Sequence, residues 1–272
     1  MLAERGIDVV ETCAVETRKQ LRKAVKRARR RVPLIVVCGG DGTLTSVVSL
    51  FAHRDVTLGV VPSGTVNSFS RNLGIEQSFE GAADTIAGGV ERRLDLGCVN
   101  GTYFANFLTV GVEAEIAQRT TRRLKKMLGP LAYGAAAFGP FLRHRPFRCT
   151  LRWGKRRLAL ETHHLIVANG RYYGYRPIDP DASQASGKLT VFVREEQSKM
   201  ALLGTYGALA LGKQRSLEGT RLWSTFDALK VRADPGQHVA VDGRPLGKTP
   251  LDIRVIPAAL RVMTAPRALD RT

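Results

Sequence analysis

The sequence has few acidic and few aromatic residues for its length. Asp and Glu number 24 against 42 Lys and Arg in 272 residues, which gives a formal net charge of +18. This imbalance favours an anionic partner, either nucleotide phosphates, nucleic acid or an anionic membrane surface. Because aromatic residues make up only 7% and no helix-turn-helix, zinc-finger or RNP pattern is present, we do not predict nucleic acid as a partner.

Cysteine is also scarce, and long apolar runs are absent. The four cysteines form no CxxC pair, which argues against a zinc ribbon or a redox motif. Cys38 stands in an apolar run and is predicted to be a small buried residue. The longest apolar stretch, residues 131–142, is interrupted by glycine and proline and is too short to span a bilayer. Without an N-terminal targeting pattern, the chain is expected in the cytoplasm, peripherally at a membrane surface.

The pattern of apolar residues divides the chain into two parts. Near the N-terminus, the apolar runs at residues 34–38 and 57–61 are typical of strands buried in a parallel sheet, and helical segments follow each of them. Beyond about residue 90, short strand patterns follow one another, beginning with a hairpin signal at Asn100-Gly101. The sequence therefore predicts a doubly wound α/β domain over residues 1–95, followed by a β-sandwich domain over residues 96–272.

A glycine-rich turn directly follows the first buried run. Gly39, Gly40 and Gly42 allow a backbone to approach a phosphate closely, and the helix that begins after them offers free N–H groups. Asp41 would repel a phosphate, but its presence is explained if it reaches a bound Mg²⁺, directly or through water. With Thr43, this GGDGT segment predicts a nucleotide-phosphate site.

A second turn of small residues follows the second buried run. Gly64 and Thr65 lie in this turn, Asn67 follows, and Arg71 lies about one turn into the next helix. Because neighbouring parallel strands end at the same edge of a sheet, we expect the two turns to form one ligand site.

Together the two turns, GGDGT and then PxGTxNxxxR, strongly resemble the diacylglycerol kinase catalytic-domain family, which includes sphingosine kinases, ceramide kinases and bacterial lipid kinases. The resemblance continues in order through weaker segments along nearly the whole chain. These segments are residues 93–97, 104–111, 169–171, 180–182, 241–243 and 255–260.

The resemblance implies transfer of the γ-phosphate of ATP to a lipid hydroxyl, with Mg²⁺, by an α/β domain packed on a β-sandwich that takes the lipid substrate. It implies nucleotide-binding roles for Gly39, Gly40, Gly42, Thr43, Gly64, Thr65, Asn67 and Arg71. It further implies that Asp41 works with Mg²⁺, that Asp95 belongs to the same acidic network, and that Asp242 is the general base. From its local sequence alone, Asp242-Gly243 is a hairpin turn.

The sequence also departs from the family pattern. Ser68 stands where the family commonly has aspartate, and Arg244 stands where it commonly has glutamate. Residues 184–187 lack the carboxylates of the family's structural metal site. The family's opening strand, which ends in NPxxG, is not found. These changes leave open a weak or inactive pseudokinase that binds an anionic membrane. A NAD kinase, which shares GGDGT, also remains an alternative.

Three runs of basic residues, at 18–31, 119–126 and 143–157, predict docking to an anionic membrane surface. The apolar segment 127–142 between them is a candidate for contact with lipid chains. An exposed sheet edge would allow a homodimer. The identity of the lipid is not readable from the sequence.

Overall fold

The computed structural model describes residues 1–119, 139, 141, 143–196 and 198–266. The candidate lipid-contact segment 127–142 therefore lies almost entirely outside the described residues. Within the N-terminal part, the structure has five helices and three strands in alternating groups. They are α1 (Arg18–Ala28), β1 (Leu34–Gly39), α2 (Asp41–Leu44), α3 (Val48–Phe51), β2 (Thr57–Pro62), α4 (Ser68–Asn72), α5 (Phe79–Gly88) and β3 (Val90–Val99).

The remainder is mostly β-structure, with two described helices. Its elements are β4 (Thr102–Phe104), β5 (Phe107–Gly111), α6 (Val112–Arg119), β6 (Phe147–Trp153), β7 (Arg156–Thr162), β8 (His164–Ala168), β9 (Tyr172–Tyr173), β10 (Arg176–Pro177), β11 (Leu189–Arg194), α7 (Lys199–Leu211), β12 (Thr220–Thr225), β13 (Leu229–Asp234), β14 (His238–Val241), β15 (Arg244–Lys248) and β16 (Leu251–Thr264).

Strands β1 and β2 pair in parallel and end level with each other. Their register runs from Leu34 opposite Thr57 to Gly39 opposite Pro62, so the two turns after them lie side by side, as predicted. Every residue of β2 is buried. Cys38 of β1 is exposed, so its predicted burial is wrong. The reason is that β1 ends the described sheet and is only partly covered, its first three residues being half-buried.

The helical segment predicted after β1 is instead two short helices, α2 and α3. The hydroxyl of Ser46 donates to the carbonyl oxygen of Thr43 at 2.5 Å. A serine that bonds the backbone of the preceding turn competes with helix continuation, so the segment breaks there.

The final strand, β16, connects both parts of the chain. It pairs in parallel with β2, and antiparallel with β13 and with β3 from Val90 to Val99. It belongs to an eight-stranded sheet with the main order β1-β2-β16-β13-β6-β7, while β4 pairs with β3. The predicted boundary at Asp95 therefore falls inside β3, and the sheet continues across it.

A second sheet of six strands, ordered β12-β11-β8-β5-β14-β15, packs on the C-terminal half of the first. Leu108, Val167 and Val191 from this sheet share one core with Leu151 and Val231 from the other. The predicted β-sandwich is thus confirmed, as is the α/β part before it. Helix α7 packs on the outer face of the second sheet, where Leu209 joins Ile166 and Phe192. In the described residues, none of the helices is both long and apolar enough to cross a membrane.

Candidate functional site

The two glycine turns touch each other. A Cβ atom added to Gly64 would lie 2.6 Å from the Cα atom of Gly40, and one added to Gly40 would lie 2.9 Å from the Cα atom of Gly64. Only glycine permits this approach, because any side chain would overlap the opposite backbone. Gly42, Gly64 and Thr65 are exposed at the resulting edge. The turns predicted to cradle phosphates therefore form one continuous, accessible rim.

Asn67 holds the second turn in shape. Its backbone is left-handed, with φ of 55°. Its side chain accepts from the Gly64 amide and donates to the Gly64 carbonyl, both at 2.9 Å. Because Asn67 is buried, the structure gives it a scaffolding contact where the sequence predicted a nucleotide-binding residue. The nucleotide-binding role stays a prediction.

Asp41 joins the first turn to the helix of the second. Its two carboxylate oxygens accept from the backbone amides of Ser68 and Phe69, each at 3.0 Å. These bonds fix α4 against the glycine-rich turn and hold the carboxylate at the edge of the sheet. The Ser68 hydroxyl points to the carbonyl of Gly174 at 3.4 Å, in the hairpin of β9 and β10.

Thr43 and Arg71 turn their side chains toward the same rim. A Cβ atom on Gly39 would lie 2.5 Å from that of Thr43, so the threonine packs over the end of β1. Nε of Arg71 donates to the carbonyl of Val66 at 2.8 Å, and the guanidinium carbon lies 5.6 Å from the centre of the Tyr175 ring. Tyr175 in turn donates to the carbonyl of Thr65 at 3.0 Å. Tyr175 was not predicted, because nothing in its local sequence places it beside the turn.

Asp242 comes to the site from the far end of the chain. It occupies the turn between β14 and β15 with a φ of 47°. Its carboxylate accepts from the backbone amides of Ala105, Asn106 and Phe107 at 3.0, 2.9 and 3.1 Å. Burial raises the pKa of Asp242 to about 6; the three amides oppose that rise, and the nearby charge of Asp41 adds to it. The two aspartates, predicted from opposite ends of the sequence, are therefore close enough for their charges to interact.

Arg244 follows Asp242 into the same region. Its guanidinium donates to the carbonyl of Gly42, so the C-terminal turn is tied directly to the glycine-rich turn. The charge reversal relative to the family thus places a cation at the rim of the two glycine turns. An ionised glutamate there could not make this bond, because a carboxylate only accepts hydrogen bonds.

Asp95 has a different environment. Its carboxylate accepts from the amides of Gly187 and Ala258 at 2.7 and 2.9 Å, and its own amide donates to the carbonyl of Gln184 at 2.6 Å. Asp95 is buried and fastens the loop before β11 and the bulge of β16 to β3. None of its hydrogen bonds goes to Asp41 or Asp242, so membership in the acidic network stays a prediction.

The weaker motifs converge on the loop that holds Asp242. Nδ2 of Asn169 donates to the carbonyls of Asp95 and Ala105, and Nε2 of Gln184 also donates to Ala105. The amide of Asn169 donates to the carbonyl of Asn106 at 2.7 Å. These residues shape the loop of amides around the carboxylate of Asp242.

Asn72 is a further positioning residue that the sequence analysis missed. Its Oδ1 accepts from the amides of Arg171 and Tyr172 at 2.9 and 3.2 Å, which secures the β9–β10 hairpin on α4.

The two carboxylates in the loop after β10 form ion pairs with an arginine. Nη2 of Arg215 lies 2.5 Å from Oδ1 of Asp179 and 3.4 Å from Oδ2 of Asp181. Among the residues that the structure describes, no group of three or more His, Cys, Asp or Glu side chains could hold a metal ion.

Comparison with known proteins identifies the class. Residues 1–99 match the model of the diacylglycerol kinase catalytic domain, and residues 106–264 match that of the YegS C-terminal NAD kinase beta sandwich-like domain. The chain belongs to this family of diacylglycerol kinase-like proteins.

Two relatives show the extent of the similarity. A diacylglycerol kinase of Bacillus subtilis is 30% identical over 243 residues, which cover 88% of this chain and 79% of the relative. The crystal structure of a diacylglycerol kinase from Bacillus anthracis superposes with a TM-score of 0.71 at 20% identity, covering 94% of this chain and 85% of the other. The structural match supports the fold described above.

Proposed function

We propose that this protein is a lipid kinase that transfers the γ-phosphate of ATP to a hydroxyl group of a membrane lipid. The observation that carries the proposal is the contact between the turns that hold Asp41 and Asp242: Arg244, two residues after Asp242, donates to the carbonyl of Gly42 beside the paired glycine turns. Phosphoryl transfer requires alignment and charge neutralisation around the phosphate, and a carboxylate that accepts the proton of the attacking hydroxyl. Membership of the diacylglycerol kinase-like family supports the same activity.

In this proposal the rim of Gly40, Gly42, Gly64 and Thr65 holds the phosphates. Its backbone is exposed and carries no side chain bulk where the two turns meet. Arg244 contributes positive charge next to Gly42. Three negatively charged phosphates would otherwise lie close to two aspartates, so a cation at this point favours binding.

Mg²⁺ fits this site only as an ion shared with the nucleotide. Mg²⁺ at phosphates commonly takes one or two protein carboxylates and completes its shell with phosphate oxygens and water. Each oxygen of Asp41 accepts one backbone amide and keeps a further lone pair. Asp41 would therefore hold the ion, which would neutralise charge on the transferred phosphate.

Asp242 is the proposed general base for the lipid hydroxyl. A pKa of about 6 leaves this carboxylate ionised at neutral pH, yet more basic than an ordinary aspartate. The three amides keep its position fixed as the proton arrives. A diacylglycerol-like alcohol is the first acceptor to test, since a relative is named diacylglycerol kinase. The excess of 42 basic over 24 acidic residues suits peripheral binding at an anionic membrane surface in the cytoplasm.

The test is transfer of label from γ-labelled ATP to lipid. Purified protein is incubated with Mg²⁺ and mixed vesicles in separate arms containing diacylglycerol, phosphatidylglycerol, a sphingoid base or an undecaprenyl-type alcohol. We expect label in the lipid extract of one arm. Asp242→Asn should lower the rate by about 10² or more, as for loss of a general base. Asp41→Ala should abolish transfer.

Asp8→Asn is the matched control, because Asp8 is an exposed carboxylate in the N-terminal segment; its rate should equal that of the unmodified protein. Absence of label in every arm, from protein shown to be folded, would overturn the proposal and favour an inactive membrane-binding relative. Ser68→Asp separates the two cases: it should strengthen a weak kinase and leave an inactive one without activity.

A further inference from the structure

Helix α7 lacks the charged outer face of an ordinary surface helix. Its 13 residues, KMALLGTYGALAL, contain no charged residue after Lys199. Helices at a protein surface typically alternate an apolar inner stripe with a polar outer face. Helix α7 is apolar on both sides, so binding of its outer side to an apolar partner would remove apolar surface from water.

The outer side of α7 is bare. Met200, Leu203 and Leu211 are 75%, 48% and 66% exposed. A Cβ atom added to Gly204 or Gly207 would meet no atom of the described residues within 4 Å. Leu203 and Gly204 lie three and four residues after Met200, Gly207 lies three and four residues after them, and Leu211 lies four residues after Gly207. The five positions therefore form a single stripe along the helix. We call the exposed stripe of these five residues the outer stripe of α7.

The inner side of α7 is firmly anchored. Leu202 and Leu209 are buried, and Thr205 is fully buried. The hydroxyl of Thr205 donates to Glu196 at 3.0 Å and accepts from Arg194 at 2.7 Å. The helix is therefore held to the sheet by its inner face.

A short path connects α7 with the proposed active site. Just beyond the helix, Nε2 of Gln214 donates to the carbonyls of Pro177 and Ile178 at 2.9 and 2.8 Å. Pro177 ends the β9–β10 hairpin, whose tip residue Tyr175 bonds to Thr65 of the phosphate rim. The β9–β10 hairpin thus links the end of α7 to the proposed active site, so a surface bound by α7 would lie near that site.

Charge decides between the possible occupants of the outer stripe. Lys199 precedes the stripe and Lys213 follows it, in a chain with a net charge of +18. A second copy would place these like charges against each other, whereas an anionic lipid surface offers the opposite charge and an apolar interior. We propose that the outer stripe of α7 inserts into the surface of an anionic membrane and presents the active site to its lipid; this inference rests on the proposed function.

The test compares vesicle binding of the unmodified protein with that of the double variant Leu203→Glu, Leu211→Glu. Sedimentation is measured with phosphatidylcholine vesicles that contain phosphatidylglycerol, and with phosphatidylcholine alone. We expect binding to the anionic vesicles, and a loss of at least about tenfold in the double variant, since two apolar insertions are replaced by charges that anionic lipid repels. Phe226→Glu is the matched control: Phe226 is 71% exposed in the turn after β12, and its substitution should leave binding unchanged.

Kinase activity on a short-chain, water-soluble diacylglycerol is measured in parallel. Equal activity of both proteins on this substrate, with lost vesicle binding, supports the inference. Lost vesicle binding without kinase activity in either protein also supports the surface and overturns only the proposed function. Unchanged vesicle binding in the double variant overturns the inference. So does a dimer that the double variant converts to monomers, or a large fall in melting temperature, because the stripe would then cover another copy or this chain itself.

Discussion

Asp242 combines two properties that oppose each other. Backbone amides of Ala105, Asn106 and Phe107 favour its charged form, yet burial outweighs them and raises its pKa to about 6. The carboxylate is thereby fixed in position but remains able to take a proton near neutral pH. The loop between β4 and β5, together with the first residue of β5, supplies these amides.

This environment predicts the acid limb of the pH profile. Protonation of Asp242 removes the base, so kcat/KM for the lipid should fall about tenfold per pH unit below about pH 6. The profile is measured in vesicles of constant composition, with stability checked at each pH. In Asp242→Asn, the residual activity should lack this limb. The same limb in that variant would assign the titration to another group.

Arg244 predicts a separable effect on nucleotide binding. Its bond to the carbonyl of Gly42 orders the glycine-rich turn and leaves positive charge at the rim. Loss of a hydrogen bond from a charged donor typically costs about 1.5–3 kcal/mol, so Arg244→Ala should raise the KM for ATP about tenfold or more. Because the contact exists without the transferred phosphate, kcat should change less.

Steady-state kinetics at saturating lipid distinguish the two parameters. Arg244→Lys should recover part of the affinity, since a lysine retains the charge but not the geometry. Arg232→Ala, at an exposed position of β13, serves as the control for loss of one surface cation. A fall in kcat at unchanged KM would contradict a role in holding the nucleotide turn.

At the scale of elements, α6 and α7 enclose a buried acidic group on the outer face of the second sheet. Oε1 of Glu113 on α6 accepts from the hydroxyl of Tyr173 at 3.1 Å. Burial raises the pKa of Glu113 to about 7, the hydrogen bond from Tyr173 and the nearby hydroxyl of Tyr206 oppose that rise, and the charge of Glu196 adds to it. The layer between these helices and the sheet is therefore pH-sensitive.

The sign of this effect follows from proton binding. Between the ordinary glutamate pKa of 4.5 and the folded-state value of about 7, the folded protein binds more protons than the unfolded chain. Stability therefore falls as pH rises through that interval, by about 2 to 3 kcal/mol from this residue. Glu113→Gln cannot titrate and should lose this fall, which denaturant unfolding at pH 5 and pH 8 would measure. The exposed Glu80→Gln is the matched control. If the free energy of unfolding fell equally between pH 5 and pH 8 in Glu113→Gln and in the unmodified protein, the buried-acid assignment would be contradicted.

The strand–turn–helix units around the site were predictable because their signals are local. A run of apolar residues followed by glycine marks both β1 and β2, and their parallel pairing then requires the turns to meet. Strand β15 was missed because Pro245 and Gly247 remove the alternation that indicates a strand. Within β16, Pro257 interrupts the apolar pattern without ending the pairing, so the strand continues through a bulge.

The network around the site was predictable only in part. GGDGT located Asp41, and the family resemblance located Asp242, but the amides that hold Asp242 lie more than a hundred residues away in sequence. Asn72 and Tyr175 make contacts of the same long range. Their partners are determined by how the β9–β10 hairpin crosses onto α4, and no pattern within either segment encodes that crossing.

At the scale of the whole molecule, β16 makes the two parts interdependent. One strand contributes Leu260 to the core of the α/β part and Ile253 to the core of the sandwich. Loss of packing in the α/β part should therefore weaken the pairing of β16 in the sandwich as well. The family comparison divides the chain into two models at residues 99 and 106, yet the sheet that supports the proposed active site runs through that division.

The shared strand predicts a single unfolding transition. Both tryptophans, Trp153 and Trp223, lie in the sandwich, stacked 4.8 Å apart, so their fluorescence reports that part alone. Phe51 is fully buried in the core of the α/β part, and Phe51→Ala should cost about 3–5 kcal/mol. The tryptophan transition should then move down by roughly 6–15 °C, together with the far-UV circular dichroism signal. Phe79→Ala, at a half-exposed position in the same part, should move neither. A tryptophan transition that stays in place while the dichroism signal splits would show instead that β16 does not couple the two parts.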